Sequence, residues 1–353
     1  MPAFANLWVD MAQDALAVKE GYDVLGKELL RRIHSLMVGA RVLEERLIKM
    51  SKSGDGFFWI GGPGEEAFNV SLGLQVKKGS GLEHDYLHLH YRSSAILLAM
   101  GASPIDSIRQ MRSVATDPYS KGRNFVNHAV FPEWNVVPMS PTIETQYSTV
   151  IGTGIAQARV KTDAISIVNG GDGGTAEGDF HSCLVWANRP ALPLPVLMIV
   201  VNNGYAISTE EPTQHGERHI ADWGRVFNMP SKTINGNDPV ESYLAIKEAM
   251  AYCRKERKPY LLEVMASRLN GHSSSSGANR VQEPDCIALF EAELKKRGLM
   301  TQDEITRVWD EAVKAIDHDQ QQVKTEPFPK PETIWEDVFA EGLPESYPTK
   351  GGS

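Results

Sequence analysis

Two short apolar runs constrain this chain more than any other feature of its sequence. Residues 164–169 read Ala-Ile-Ser-Ile-Val-Asn, and residues 195–202 read Pro-Val-Leu-Met-Ile-Val-Val-Asn. Both are rich in β-branched residues, and neither is polar enough to leave one face of a sheet in water. They must be covered on both faces, the situation of strands inside a parallel sheet. A helix is predicted between them, over 175–187. A third run, Tyr260–Met265, follows a clearly helical stretch over 240–257. Strand and helix in alternation mean βαβ units, hence an α/β fold with helices layered on a central, mostly parallel sheet.

The flanks are helical. From Val24 to Lys52 the residues Leu29, Ile33, Leu36, Met37, Ala40, Leu43, Leu47 and Met50 recur at three- and four-residue steps, the stripe of a helix packed on a core. Gly54-Asp55-Gly56 ends it. Pro63, followed by Glu65 and Glu66, opens a helix predicted over 64–76, and Ser103-Pro104 opens another to about Val114. Residues 284–324 read as amphipathic helix and 327–353 as an irregular, proline-rich arm. The chain therefore divides into a helical N-terminal arm (1–56), an α/β domain (57–283) and a helical C-terminal extension and arm (284–353).

Composition narrows the function. A net charge of −9 over 353 residues leaves no basic face for nucleic acid. The longest apolar stretch, residues 192–201, contains two prolines and is far too short to span a bilayer. The opening MPAFANLWVDMAQDAL has neither a basic n-region nor an Arg-rich amphipathic pattern, so the cytoplasm is the expected compartment. Cys183, Cys253 and Cys286 lie far apart with no C-x-x-C pair; they are expected to be reduced packing residues.

The chemistry is concentrated just beyond the first two runs. Gly170-Gly-Asp-Gly-Gly174 follows one, and Asn202-Asn-Gly-Tyr205 ends the other. In an open α/β sheet, ligands bind beyond the carboxyl ends of the strands, so Asp172 and Asn203 should converge there. The glycines let backbone N–H groups approach an anion, and a helix starting near Thr175 would aim its positive end at it. A carboxylate and an amide oxygen are hard donors that, together with phosphate oxygens, suit magnesium. Each turn alone is commonplace. The pair, with a helix and a strand between, points to a magnesium diphosphate held without a Walker lysine.

G-D-G followed after about thirty residues by N-N resembles the thiamine-diphosphate motif. The longer texts, Gly171-Asp-Gly-Gly-Thr-Ala-Glu-Gly-Asp-Phe-His181 and Asn202-Asn-Gly-Tyr-Ala-Ile-Ser208, resemble alpha subunits of branched-chain 2-oxoacid dehydrogenases over roughly residues 25–340. The resemblance implies a three-layer thiamine-diphosphate-binding fold. It further implies magnesium on Asp172, Asn203 and the Tyr205 carbonyl, with Gly173 and Gly174 at the diphosphate and Ala206 and Ile207 beside the cofactor. Tyr91-Arg92 matches a pair whose arginine grips the diphosphate, a role that suits a guanidinium fork. Ser140-Pro-Thr-Ile-Glu-Thr-Gln146 resembles the segment supporting the bent cofactor; it is one residue longer here, with Ser140 as a contact and Ile143 as the supporting wedge.

His128, ending Lys121-Gly-Arg-Asn-Phe-Val-Asn-His128, matches a histidine near the cofactor. His272, in Arg268-Leu-Asn-Gly-His272-Ser273, matches the active-site histidine of a loop. Phe57 and Phe58, ahead of Trp59, resemble the wall of the substrate pocket. The sequence also departs from the family: Val201 stands where an arginine or glutamate usually precedes the Asn-Asn pair. The loop after His272 is about two residues shorter and lacks the usual aspartate, with Arg280 closing it. Its four serines offer little apolar surface, so something else must order it.

The implied activity is decarboxylation of a 2-oxoacid on thiamine diphosphate and transfer of the acyl unit to a lipoyl carrier. The resemblance also implies a glutamate that polarises the cofactor's aminopyrimidine and that lies on the family's beta chain; it has no match here. A separate beta subunit is therefore implied, in a two-alpha two-beta heterotetramer working with a lipoyl-bearing acyltransferase. A pyruvate or acetoin dehydrogenase alpha subunit would share the cofactor residues. A non-catalytic partner-binding subunit of the same fold is the other alternative.

Overall fold

The structure, a computed structural model, describes residues 11–339 and 341–342. The end of the proline-rich arm and the first residues of the N-terminal text lie outside the described residues. In chain order the strands are β1 (Tyr86–His88), β2 (Ser166–Gly171), β3 (Val196–Asn202), β4 (Tyr205–Ala206), β5 (Thr209–Glu210), β6 (Ser231–Asn235) and β7 (Tyr260–Met265). Five of them form one sheet in the order β1-β2-β3-β7-β6, every pair parallel, while β4 and β5 make a small antiparallel ribbon.

The helices are α1 (Met11–Ser53), α2 (Glu66–Gly73), α3 (Ser94–Met100), α4 (Pro104–Arg112), α5 (Thr145–Arg159), α6 (Gly178–Ala187), α7 (Trp223–Val226), α8 (Pro239–Glu256), α9 (Cys286–Lys296) and α10 (Gln302–Val323). The three apolar runs lie at the centre of the sheet and are buried on both faces, as their composition requires. In β3, Val196, Met198 and Val200 join the core that α5 and α6 build. Leu197, Ile199 and Val201 join the opposite core, with Phe68 and Leu72 of α2 and Ile246 and Met250 of α8. The periodic stripe of α1 forms a further core with α9 and α10 through Leu30, Ile33, Leu43, Phe290 and Ile316. This is the expected three-layer α/β fold with helical extensions.

Some boundaries differ from expectation, each for a physical reason. Residues 172–176 form a tight 3-10 turn, and α6 starts at Gly178, later than the predicted Thr175. The helix expected over 64–76 is confined to Glu66–Gly73, because residues 62–65 form a turn closed by Glu65 N–H on the Gly62 carbonyl. Gly26 has non-helical backbone (φ 74°, ψ 158°) inside α1 and separates the periodic stripe from the residues before it. β1 is three residues long, and β6 is a mostly polar edge strand (Ser-Lys-Thr-Ile-Asn); neither carries the apolar signature by which the central strands are recognised. The three cysteines are buried and free. Among the described residues, no helix is long and apolar enough to cross a membrane.

Candidate active site

Four adjacent strands deliver the site at their carboxyl ends. Tyr91 and Arg92 follow β1, the glycine turn with Asp172 follows β2, Asn203 to Ile207 follow β3, and Arg268 to Ser273 follow β7. Asn169, buried near the end of β2, holds the neighbouring turn in place: its Oδ1 accepts the His90 N–H (3.0 Å), and its Nδ2 donates to Ser93 Oγ (3.0 Å).

The end that carries the glycine turn is dense and buried. Asp172 is fully enclosed; its Oδ1 lies 3.4 Å from the donating Asn203 N–H, and its Oδ2 has no hydrogen-bond partner. Burial pushes its pKa up, and Arg92 pulls it partly back. A buried carboxylate oxygen without a donor is costly, so this one fits a site that a cation completes. Asn203 Oδ1 accepts the Tyr205 N–H at 3.3 Å. Arg92 leans over the turn, and a Cβ on Gly171 would meet its Nη2 at 2.5 Å. A Cβ on Gly173 would meet Ala206 at 2.3 Å, and one on Gly174 would collide with the Glu144 carboxyl. Only bare backbone fits this turn, as an anion cradle requires. These residues therefore suit a magnesium diphosphate.

The other end is built from rings. His128 stacks on Tyr91 (6.2 Å, 25°), and His272 meets the same ring edge-on (5.8 Å, 89°). His128 Nδ1 lies 3.1 Å from the Val126 carbonyl, which can only accept. Nδ1 must then carry the proton, and the buried, unpartnered Nε2 is a bare lone pair. Burial lowers the pKa of His128. Burial, then Arg92 and Arg268, lowers that of His272 to about 4. Both rings are neutral near pH 7.

Backbone hydrogen bonds order the serine loop, and Ala278 seats it on the core. Gly271 N–H donates to the Asn279 carbonyl (2.9 Å) and Ser274 N–H to the Trp59 carbonyl (2.9 Å), while Trp59 N–H donates to Ser274 Oγ (3.1 Å). A Cβ on Gly271 would fall 1.8 Å from the Gly277 carbonyl oxygen, so the hairpin closes only around glycine. Arg280 pairs with Asp285 at 2.7 Å. Arg268 stacks on the Tyr205 ring (4.4 Å) and donates to the Ile207 carbonyl (2.7 Å), which joins this loop to the segment after β3.

The expected residues do not all behave alike. Asp172, Asn203, Arg92, Gly173, Gly174 and Ala206 converge. Ser140 is exposed, and Ile143 and Ile207 are 49% and 50% exposed. Phe58 packs on Phe125 (5.1 Å), whereas Phe57 is 62% exposed.

Sequence reasoning missed four neighbours. Glu65 pairs with Arg92 at 2.7 Å. Phe125 lies 6.0 Å from His128, edge to face. Glu144, at a left-handed φ of 64°, is buried against the glycine turn. Glu44 is buried in α1 and accepts from Ser94 Oγ (2.7 Å), Trp59 Nε1 (2.8 Å) and Asn127 Nδ2 (3.2 Å), tying three site segments together. The extra residue in 140–146 was the one available signal for Glu144. An acidic residue on an otherwise ordinary helix gave none for Glu44.

Residues 34–332 match the dehydrogenase E1 component family. The chain belongs to that family and is a component of a thiamine-diphosphate-dependent 2-oxoacid dehydrogenase. Its relatives narrow the type to alpha subunits. It is 31% identical to the 2-oxoisovalerate dehydrogenase subunit alpha of Bacillus subtilis (strain 168), over 87% of this chain and 94% of that one. It is 30% identical to the mitochondrial 2-oxoisovalerate dehydrogenase subunit alpha 2 of Arabidopsis thaliana, over 72% of this chain but about half (52%) of that longer protein. The 3-methyl-2-oxobutanoate dehydrogenase subunit alpha of Mycobacterium tuberculosis (strain ATCC 25618 / H37Rv) is 26% identical over 92% of this chain.

Proposed function

We propose that this chain is the alpha subunit of a branched-chain 2-oxoacid dehydrogenase of the cytoplasm. It would work with a beta subunit in a two-alpha two-beta assembly and pass its acyl product to a lipoyl-bearing acyltransferase. The observation that carries the reading is the buried, unpartnered Asp172 Oδ2 beside the bare glycine turn, with Arg92 leaning over it. In this reading Asp172, Asn203 and the Tyr205 carbonyl would hold magnesium, and Gly173, Gly174 and Arg92 the diphosphate. Tyr91, Ser140, Ile143, Ala206 and Ile207 would line the rest of the cofactor. When bound, thiamine diphosphate supplies the electron sink for loss of carbon dioxide.

The chain's own part is to orient, exclude water and move protons. The bare Nε2 of His128 would accept a proton or a hydrogen bond, and neutral His272 would stabilise charge or relay a proton beside Arg92. Phe58, with Phe57 at the rim, would face an apolar substrate side chain. The chain should be co-purified with its beta subunit and given a panel of 2-oxoacids together with a lipoyl-bearing domain, with formation of the acylated dihydrolipoyl group as the readout. Branched aliphatic substrates should lead. Preference for pyruvate would overturn the substrate class, and turnover by the isolated chain would overturn the need for a second subunit.

A further inference from the structure

We propose that Glu65 is a positioning residue that fixes which end of the Asn203 amide faces the metal and where the Arg92 guanidinium lies. It would thereby prepare the two as one pair for the metal diphosphate. The inference rests on the magnesium–diphosphate reading above.

Glu65 is buried immediately before α2. Its Oε1 forms an ion pair with Arg92 (2.7 Å to Nε) and accepts a hydrogen bond from Asn203 Nδ2 at 3.4 Å. Burial raises the pKa of Glu65, and Arg92 and the Asn203 amide pull it back down; the amide end that faces its Oε1 is the NH2 group, which donates to it. Asn203 Oδ1 is thereby turned away from Glu65, where it takes the Tyr205 N–H. That oxygen is the atom a hard cation would use. The two ends of an amide have nearly the same shape, and shape alone cannot orient it. A carboxylate on one side can, because the reversed amide would set oxygen against oxygen. The same carboxylate neutralises a buried guanidinium that must later meet phosphate, and it holds that guanidinium against the turn.

Glu65 is itself held rigidly. Its N–H donates to the Gly62 carbonyl (3.1 Å), and its carbonyl accepts the Asn69 N–H (3.0 Å). Gly64 has φ 113°, and a Cβ there would lie 2.2 Å from the Ser267 carbonyl oxygen, so the turn bearing Glu65 is fitted against the end of β7. Glu66, the next residue, faces the other way and receives Arg41 in a bidentate pair (2.6 and 2.9 Å); Arg41 also holds Asp285 (2.7 Å). One glutamate of the pair anchors the turn, which leaves the other free to serve the site. Groups that orient metal ligands from behind typically change affinity roughly 10- to 100-fold when removed.

The test uses the full chain with its beta subunit, and manganese as a spectroscopic substitute for magnesium. Free manganese is read by electron paramagnetic resonance in the presence of thiamine diphosphate, and cofactor affinity is read by calorimetry. E65Q should raise the manganese Kd about 10- to 100-fold, because glutamine can donate to Oδ1 and turn the amide round. E65D, which keeps the charge but shortens the reach, should move in the same direction and serves if E65Q does not assemble. The double variant E65Q/N203D should recover affinity to within a few-fold of the wild type, since an aspartate has two equivalent oxygens and the glutamine introduced behind it can donate to one. A merely structural ion pair would show no such recovery. Unchanged manganese affinity in both E65Q and E65D overturns the proposal, as does equal loss in E65Q and the double variant. D172A separates the two levels: if it binds manganese as the wild type does, the metal reading fails and takes this one with it. If D172A loses the metal while E65Q and E65D keep it, only the role of Glu65 fails.

Discussion

The two ends of the site are built by different means. The end proposed for the diphosphate is set by backbone at the carboxyl ends of parallel strands: Asp172, Asn203 and Arg92 are buried, and the glycine turn between them accepts no side chain. The other end is set by loops and rings, and several residues proposed to line the rest of the cofactor and the substrate pocket face solvent, with Ile143, Ile207 and Phe57 each about half exposed or more. One end is enclosed, and the other presents apolar side chains to solvent.

That contrast is open to direct attack, and the largest expected effect lies at the enclosed end. D172A removes the one charged ligand of the proposed metal site. Calorimetry should show magnesium-dependent thiamine diphosphate affinity falling by at least about 100-fold, on the scale of losing a charge-assisted contact. The fold should survive, since the variant also removes a buried carboxylate oxygen that has no partner. Unchanged affinity would show that the strand ends are not where the metal diphosphate sits. The next effect belongs to the open end. H272A should lower kcat of the assembled enzyme about 100-fold, within the usual range for proton transfer, with cofactor affinity nearly unchanged. A parallel loss of affinity and turnover would mean that the two ends are one unit.

The same division decides what could be read from the sequence. The central strands were legible because burial on both faces leaves no choice but a run of apolar residues, and Asp172 and Asn203 follow from where such strands end. β1 and β6 escaped, being short or polar edge strands that pattern reasoning cannot separate from loop. Glu65 and Glu44 escaped as site residues because each reaches the site by a tertiary contact from a distant segment, such as the 83 positions between Glu44 and Asn127, while Phe125 and Glu144 lie inside segments already singled out and are distinguished only by their packing. Spacing along a chain carries no trace of such a contact. The serine loop shows the same limit. Its composition promised nothing to hold it, but backbone bonds to Trp59 and across Gly271–Asn279 do.

A smaller effect should come from that loop. In G271A the new Cβ would meet the Gly277 carbonyl, so the hairpin must open and carry His272 away from Tyr91. A displacement of this kind should lower kcat roughly tenfold and leave thiamine diphosphate affinity alone, which single-turnover kinetics beside calorimetry would resolve. Wild-type turnover in G271A would mean that the loop does not position His272.

The smallest expected effect returns to the enclosed end and concerns its electrostatics. Glu144 is buried behind the glycine turn with Oε2 unpartnered, and burial pushes its pKa from 4.5 up to about 8, against the Gly171 N–H and Arg92, which pull it down. The folded chain thus keeps this proton over a range where the unfolded chain has lost it. Between the two values the unfolded state binds fewer protons, so stability is full below about pH 4.5 and declines as pH rises toward 8. Each unit of displacement moves stability by about 1.4 kcal/mol. Glutamine imitates the protonated form and cannot lose a proton. Urea unfolding of wild type and E144Q from about pH 5 to 8.5 should therefore give curves that converge at the acid end and separate toward the alkaline end, with E144Q the more stable there. Glu44, which burial raises to about 7, slopes the same way in both proteins and cancels in the difference. Parallel curves would mean that Glu144 is ionised throughout, held by contacts on the turn stronger than its burial.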